Sequence, residues 1–419
     1  MRVLVFLNGL GQGGTEKAAC RWAVGLKERG HQVSVLSLED GARRASLDRV
    51  GIETHVFTTA VAPIVSHIQQ YKPDVVHAHV PGYPHQGDIL GEALSNLPRI
   101  PVVQTNIFGR LDNPAEETWT DFRLFISRTS CAQAIRRSSR RITAGFFRKA
   151  GIAVYPLDPD DGPLRSDVAA FRSSIGLSNG DILFGRFSRP EPNKWTDLPI
   201  KAFRRSIAHD GRIKLLLQEP PPRVSQEIRS GPDCDRFIIL PLATNPAELR
   251  LSMAATDVVL HTSSIGESFG YGIAEPMNFG KPVITHSTPW ADQAQLELVR
   301  HEECGLVAST VKTMSSAILR LASDAGRRSQ FGNEGQRHIR TLADPHASLD
   351  RLEGALGAVI AGKNSSVIEE DLAAVRQVAE YLDRQQFGHS VGEQLWLRTF
   401  PLLARIHRLS QRLARGSRS

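Results

Sequence analysis

At 419 residues the chain is longer than one hydrophobic core usually supports, so two domains are expected. With 41% hydrophobic and 23% charged residues, the composition excludes a disordered, collagen-like or disulfide-stapled protein. The formal net charge is +7, and the four scattered cysteines (Cys20, Cys131, Cys234, Cys304) form neither a C-x-x-C pair nor a His/Cys cluster, which reads as reduced thiols in the cytoplasm. No apolar segment with a small-residue cleavage site opens the sequence, and no apolar run approaches the ~20 residues of a spanning helix, so neither a cleaved signal nor a membrane span is expected.

The first predicted strand, RVLVFL, runs into Gly9, Gly11 and Gly14, a G-x-G-x-x-G placed before a predicted helix over 15–29. Such a loop brings backbone N–H groups and a helix N-terminus close to a phosphate. The next strand, QVSVLSL, ends at Glu39 and Asp40, where an NAD enzyme would hold its ribose hydroxyls. At this point a dehydrogenase and any other nucleotide-linked α/β protein both stand. Strands PDVVHAHV, RIPVVQTN and FRLFIS follow, alternating with helical patterns as in a doubly wound parallel sheet.

Residues 127–151 carry Arg128, Arg136, Arg137, Arg140, Arg141, Arg148 and Lys149 with no acid. The spacing of Arg136, Arg137, Arg140 and Arg141 predicts one helix face, with Phe146 and Phe147 nearby, which suits an anionic membrane surface or a lipid-linked acceptor; a solvated helix face is the plainer alternative. The basic stretches show no interleaved stacking aromatics, so nucleic acid is not an expected partner. From about 153 to 180 an Asp- and Pro-rich stretch, VYPLDPDDGPLRSDV, reads as a linker. Its Asp158-Pro159-Asp160 is a D-x-D, which chelates a divalent ion in some transferases, but its place in a hinge argues for no metal here.

A second alternating series follows: DILFGRF, IKLLLQ, RFIILPL, DVVLHTS and KPVITHS. The expected domains are 1–157, 158–364 and a helical basic tail over 365–419, whose last 24 residues hold six arginines and no acid. The discriminating stretch is LHTSSIGESFGYGIAEPMNFGKPVIT at 260–285. It sets Glu267 in a turn before a helix and Glu275 about two turns inside it, an E-x7-E whose members share nearly one face. The Ser268-Phe269-Gly270 turn offers N–H groups to a pyrophosphate, while one carboxylate reaches a sugar and the other a ribose. Arg186 at a strand end and Lys194 in the following loop supply two cations for a departing diphosphate. A dehydrogenase has no use for this set.

On these residues, and on GLGQGGTEKAA, PDVVHAHV, GRF...NKW and GESFGYGIAEPMNFGKPVI, the sequence resembles the retaining glycosyltransferases of family 4 over nearly its whole length. The resemblance implies a GT-B fold: two Rossmann-like, doubly wound parallel-sheet domains facing a deep cleft, with a C-terminal helix crossing back to the N-terminal domain. It implies transfer of a sugar from a UDP- or GDP-sugar to a hydroxyl acceptor, in glycolipid, lipopolysaccharide or exopolysaccharide synthesis, with no cofactor and no metal. Arg186 and Lys194 would hold the diphosphate, Glu267 the transferred sugar, Ser268, Phe269 and Gly270 phosphate or sugar, Glu275 the ribose, and Gly13 and Gly14 would face the donor. In the family's front-face departure the diphosphate itself helps deprotonate the acceptor, so no enzyme nucleophile is sought. The expected location is cytoplasmic, peripheral at the inner membrane face.

Three departures stand out. Asn106 replaces a histidine common in the family and cannot carry a proton, although it and His79 remain candidate acceptor or sugar contacts. The SRPEPN stretch between Phe187 and Lys194 is long and bears on the reach of Lys194, and Pro289-Trp290-Ala291-Asp292 replaces a glycine-rich loop. His77, His79 and His261 all end strands, where a hydrogen-bonded structural role is common. The rival readings are a non-catalytic nucleotide-sugar-binding scaffold and a GT-B nucleotide-sugar epimerase.

Overall fold

A computed structural model describes residues 1–57, 60–83, 88–138, 140–243, 245–289, 291–364 and 367–385. Trp290 and the basic tail beyond 385 therefore lie outside the described residues. The chain forms two compact units, each built from separated segments. The first comprises Met1–Pro159, Ser268–Tyr271 and Ile339–Val378; the second comprises Asp160–Glu267, Gly272–His338 and the described residues from Ala379.

The first unit holds a seven-stranded, all-parallel sheet of β1 (Arg2–Leu7), β2 (Gln32–Ser37), β3 (Glu53–Val56), β4 (Val75–Val80), β5 (Val102–Asn106), β6 (Phe122–Phe125) and β7 (Ala150–Ile152), in the order β3-β2-β1-β4-β5-β6-β7. Val3, Leu4 and Val5 are fully buried, as a strand covered on both faces requires. The helix Gly14–Glu28 sends Trp22 inward, where its indole N–H donates to Ser348 Oγ at 2.9 Å. Ser348 lies on the helix Pro345–Ile360, which also buries Leu349, Leu352 and Leu356. A Cβ on Gly25 would come within 2.7 Å of a Leu349 methyl, so the two helices pack closely at this glycine. These contacts place residues 339–364 with the first sheet, although the alternating pattern assigns them to the second domain.

The second unit holds a six-stranded parallel sheet of β8 (Ile182–Phe187), β9 (Ile213–Gln218), β10 (Phe237–Leu240), β11 (Val258–Leu260), β12 (Val283–Thr285) and β13 (Gly305–Val307), ordered β10-β9-β8-β11-β12-β13. Its core joins Phe184, Leu215, Leu217 and Ile284 to Phe203 and to Ile318 and Leu321 of the helix Val311–Ser323. Strand order reverses between β8 and β11, and ligands of open α/β sheets bind beyond the carboxyl ends of the strands at such a reversal. Arg186 lies next to the end of β8, and His261 follows β11 directly.

Candidate active site

Two loops leave this reversal and are laced together. The Arg186 guanidinium, fully buried, donates from Nη2 to Lys194 O at 2.6 Å and to Thr262 O at 2.7 Å, and its Cζ sits 4.3 Å from the Trp195 ring centroid. Thr196 Oγ1 donates to Thr262 Oγ1 at 2.8 Å, and Ser264 N donates to Asn193 O at 3.0 Å. The long SRPEPN loop is closed by Trp195 Nε1 on Arg189 O at 2.8 Å and turns through the 3-10 segment Pro192–Lys194. This turn delivers Lys194 Nζ to both oxygens of Glu267, at 3.0 and 3.1 Å. The extra length therefore does not carry Lys194 away from the site.

Glu267 is held at three points besides Lys194. His261 Nε2 lies 3.2 Å from its Oε1, its backbone N–H donates to Gln295 Oε1 at 3.0 Å, and its carbonyl accepts from Ala294 N at 2.8 Å. Gln295 also donates to Thr288 Oγ1 at 2.7 Å, and Ser263 N donates to His286 Nε2 at 3.0 Å, so the 261–267 loop hangs from the end of β12. Burial alone would raise the Glu267 carboxyl; the Lys194 charge and the His261 hydrogen bond overcome it and hold the group at about 2. Burial pushes Arg186 down to about 9, against the pull of Glu267. Burial likewise lowers His261, with Glu267 opposing, and lowers His286 to about 3. At neutral pH the site thus holds one half-buried carboxylate, two cations and two neutral imidazoles. Arg186 Nε and Nη1 are buried and have no hydrogen-bond partner among the described residues.

The structure brings Arg186, Lys194 and Glu267, all expected in one site, together as neighbours. Sequence reasoning read His261 as a strand-end histidine and named neither Gln295 nor Trp195; the signal for His261 was its position directly after β11 at the reversal. The shared-face argument for E-x7-E does not hold, because Glu267 precedes the helix Tyr271–Asn278 and Gly270 interposes a φ of +106°. Glu275 is the fifth residue of that helix, little more than one turn in, and half-buried.

Ser268, Phe269, Gly270 and Tyr271 pack in the first unit. There Ser127 Oγ donates to Ser268 O at 2.8 Å, and Tyr271 OH donates to Pro156 O at 2.8 Å. Lys17 Nζ stands 4.7 Å over the Tyr271 ring, and a Cβ on Gly14 would lie 2.9 Å from that ring. The opening loop and the SFGY turn are therefore neighbours, with Gly13 as the N-cap of the helix Gly14–Glu28.

Other candidate residues are differently engaged. Asn106 is fully buried, with Nδ2 on Arg110 O at 2.6 Å and Oδ1 accepting from Arg110 N at 3.0 Å, so it staples its own loop. His79 is 1% exposed beneath Trp22, ring centroids 5.5 Å apart, and neither ring nitrogen has a hydrogen-bond partner among the described residues. The D-x-D carboxylates serve separate ion pairs, Asp158 with Arg21 at 2.9 Å and Asp160 with Arg250 at 2.6 Å. Among the described residues, no group of three or more His, Cys, Asp or Glu could hold a metal ion. Asp40, the ribose candidate of the dehydrogenase reading, pairs instead with Arg44 at 2.9 Å. The predicted basic helix face also changes: the helix Arg128–Arg137 ends before Arg140 and Arg141, and Phe147 is a core residue. Among the described residues, no helix is long and apolar enough to cross a membrane.

Two family models match, a glycosyl transferase 4-like domain over residues 13–150 and glycosyl transferases group 1 over residues 181–324. The chain belongs to the GT4-type glycosyltransferases. Its fold is GT-B, shared with HepE of Anabaena in complex with UDP, at 20% identity over 85% of this chain and 100% of that chain, TM-score 0.71. A glycosyltransferase from Rickettsia africae is 13% identical over 86% of this chain and 98% of that one, TM-score 0.72. Sucrose-phosphate synthase from Thermosynechococcus elongatus is 14% identical over 87% and 100%, TM-score 0.68. No curated protein matches the chain. The Arg186–Lys194–Glu267 group stands where the sheet order of the second unit reverses.

Proposed function

We propose that this glycosyltransferase moves a sugar from a nucleoside diphosphate sugar, UDP- or GDP-linked, to a hydroxyl acceptor, with retention of configuration and without a metal ion or cofactor. The observation that carries the reading is the bidentate Lys194–Glu267 pair beside buried Arg186, set at the reversal between β8 and β11. In this reading the two cations stabilise the charge that develops on the leaving diphosphate, in a setting of low dielectric where each counts for more than in water. Glu267 bears on the transferred sugar, Glu275 on the ribose, and Gly13, Gly14, Ser268, Phe269 and Gly270 supply backbone contacts. HepE has been crystallised with UDP-glucose as well as with UDP, which favours a donor of this class.

The proposed acceptor is a carbohydrate or lipid-linked hydroxyl in glycolipid or polysaccharide assembly, met by a peripheral enzyme at the cytoplasmic membrane face. Arg136, Arg140, Arg141, Arg148 and Lys149 are all exposed on the first unit and suit an anionic surface. Thermal-shift titration with UDP, GDP, ADP and TDP, their sugars and NAD, with and without EDTA, tests the donor. Stabilisation by one nucleotide, insensitive to EDTA and lost in Lys194→Met, is the expected result. Stabilisation by NAD alone would overturn the reading.

A further inference from the structure

We propose that His261 is the positioning residue of Glu267: a neutral imidazole carrying its proton on Nε2, it keeps the carboxylate in place when Lys194 leaves it for the donor diphosphate. The inference rests on the reading that Arg186, Lys194 and Glu267 take a nucleoside diphosphate sugar.

In the structure Lys194 is spent on Glu267, with Nζ 3.0 and 3.1 Å from the two oxygens. An ammonium is a compact point charge on a flexible stem, and a diphosphate arriving beside it competes for that charge. The Lys194 side chain is 19% exposed and sits on a short 3-10 turn, so it can move. A carboxylate that loses both contacts to Lys194 turns about its own torsions unless something else fixes it.

His261 is built to do so. Its side chain is 3% exposed, and its backbone N–H donates to Ile284 O at 2.9 Å, continuing the parallel register of β11 and β12. Nε2 lies 3.2 Å from Glu267 Oε1, and Nδ1 lies 3.4 Å from the hydroxyl of fully buried Thr285. An ionised carboxylate only accepts, so the shared proton belongs to Nε2, and Nδ1 then accepts from Thr285. The charged groups acting on this imidazole are Glu267, Arg186 and Lys194, with neutral His286 nearby. Two cations and burial oppose a second proton, so the donor tautomer persists across the neutral range. Gln295 fixes the backbone end of the same residue, leaving Glu267 held at both ends without Lys194.

The test uses the full chain and follows release of nucleoside diphosphate from UDP-glucose, GDP-mannose and ADP-glucose, with water standing in for the acceptor hydroxyl and taking the sugar. With the donor that turns over, His261→Ala lowers kcat at least about tenfold while the donor KM stays within about twofold, because the lost contact orients the reacting group and does not bind the nucleotide. The acidic limb of its kcat–pH profile moves upward, since the carboxylate has lost a hydrogen-bond donor, and His261→Gln, whose amide N–H can reach the same oxygen, restores most of the rate. Wild-type kcat and pH profile in His261→Ala, or a raised KM at unchanged kcat, overturns the proposal. Should His261→Ala fold poorly, imidazole 15N spectra of the wild type, assigned by difference from His261→Gln, decide it: the Nε2–H tautomer from pH 6 to 8 is expected, and an imidazolium or Nδ1–H tautomer overturns it. Glu267→Gln and Lys194→Met separate the two levels. If they abolish turnover and His261→Ala keeps the wild-type kcat, the positioning role alone fails; if the wild type releases nucleotide from none of the three donors, the site reading fails and takes the positioning role with it.

Discussion

Arg186 combines two duties that a single substitution would confuse. Its Nη2 bridges the carbonyls of Lys194 and Thr262, so removing it leaves two buried acceptors unpaired as well as removing a charge. Arg186→Lys keeps the charge, loses the planar stack on Trp195 and reaches at most one carbonyl well, which predicts destabilisation of about 1 to 3 kcal/mol in urea unfolding. Glu267 makes the complementary pH prediction. Its folded pKa of about 2 lies below the ordinary 4.5, so its stabilisation is present above about pH 4.5 and is lost as pH falls through that window toward 2. Glu267→Gln is therefore expected to cost about 2 to 3 kcal/mol at pH 7 and little near pH 2.5, checked by denaturant unfolding at both values. At this scale the sequence showed the cations and the acid, because charged residues placed in a strand-end pattern are conspicuous. Hydrogen-bond commitments were not legible: nothing in VVQTN says that Asn106 spends its amide on Arg110, and nothing in DVVLH says that His261 turns toward Glu267.

Among the elements of the described residues, ten strands show an apolar run in the sequence and three do not. β3, β7 and β13 are all edge strands of three or four residues, with sequences ETHV, AGI and GLV. An edge strand needs only one neighbour and so can do without an apolar run, as these three do and the edge strand β10, FIIL, does not. The site loops follow a similar rule, since their shape depends on partners distant in sequence. Gly266 has φ +65°, and a Cβ there would stand 1.7 Å from Asp292 O. The segments 265–267 and 292–294 are joined on both sides, Asp292 N to Ile265 O at 3.2 Å and Ala294 N to Glu267 O at 2.8 Å. Gly266→Ala must part them and strain the backbone together, which predicts a loss of about 2 to 4 kcal/mol in unfolding free energy. It also predicts that nucleotide-dependent thermal stabilisation disappears, because Gln295 can no longer hold the Glu267 backbone; a variant that keeps both would show that this junction does not shape the site.

For the molecule as a whole, the notable feature is that neither unit is a continuous piece of chain. The first sheet is completed by residues 339–378, and the helix Ile368–Gln385 reaches it through Asp371, whose Oδ2 accepts from Ile152 N at 3.1 Å at the end of β7. Arg351, on the helix Pro345–Ile360, pairs with the other Asp371 oxygen at 3.1 Å. Alternating strand and helix patterns do not foretell such a return, because the contacts that hold it, from Trp22 with Ser348 to Asp371 with Ile152, join residues more than two hundred positions apart in the sequence. Burial raises the Asp371 carboxyl to about 6, outweighing the nearby Arg351 charge and the Ile152 hydrogen bond. A folded pKa above the ordinary 3.8 means that its favourable contribution is complete below about pH 3.8 and is lost as pH rises through about 6. Asp371→Asn keeps an oxygen for Ile152 and does not titrate. The stability of the wild type relative to this variant is therefore expected to fall by about 3 kcal/mol between pH 4 and pH 7.5, since a shift of about two units is worth that much and the other groups cancel in the difference. Urea unfolding of both proteins across that range, followed by tryptophan fluorescence, measures it. A difference independent of pH would mean that Asp371 stays charged in the fold and that the Arg351 ion pair governs its energetics.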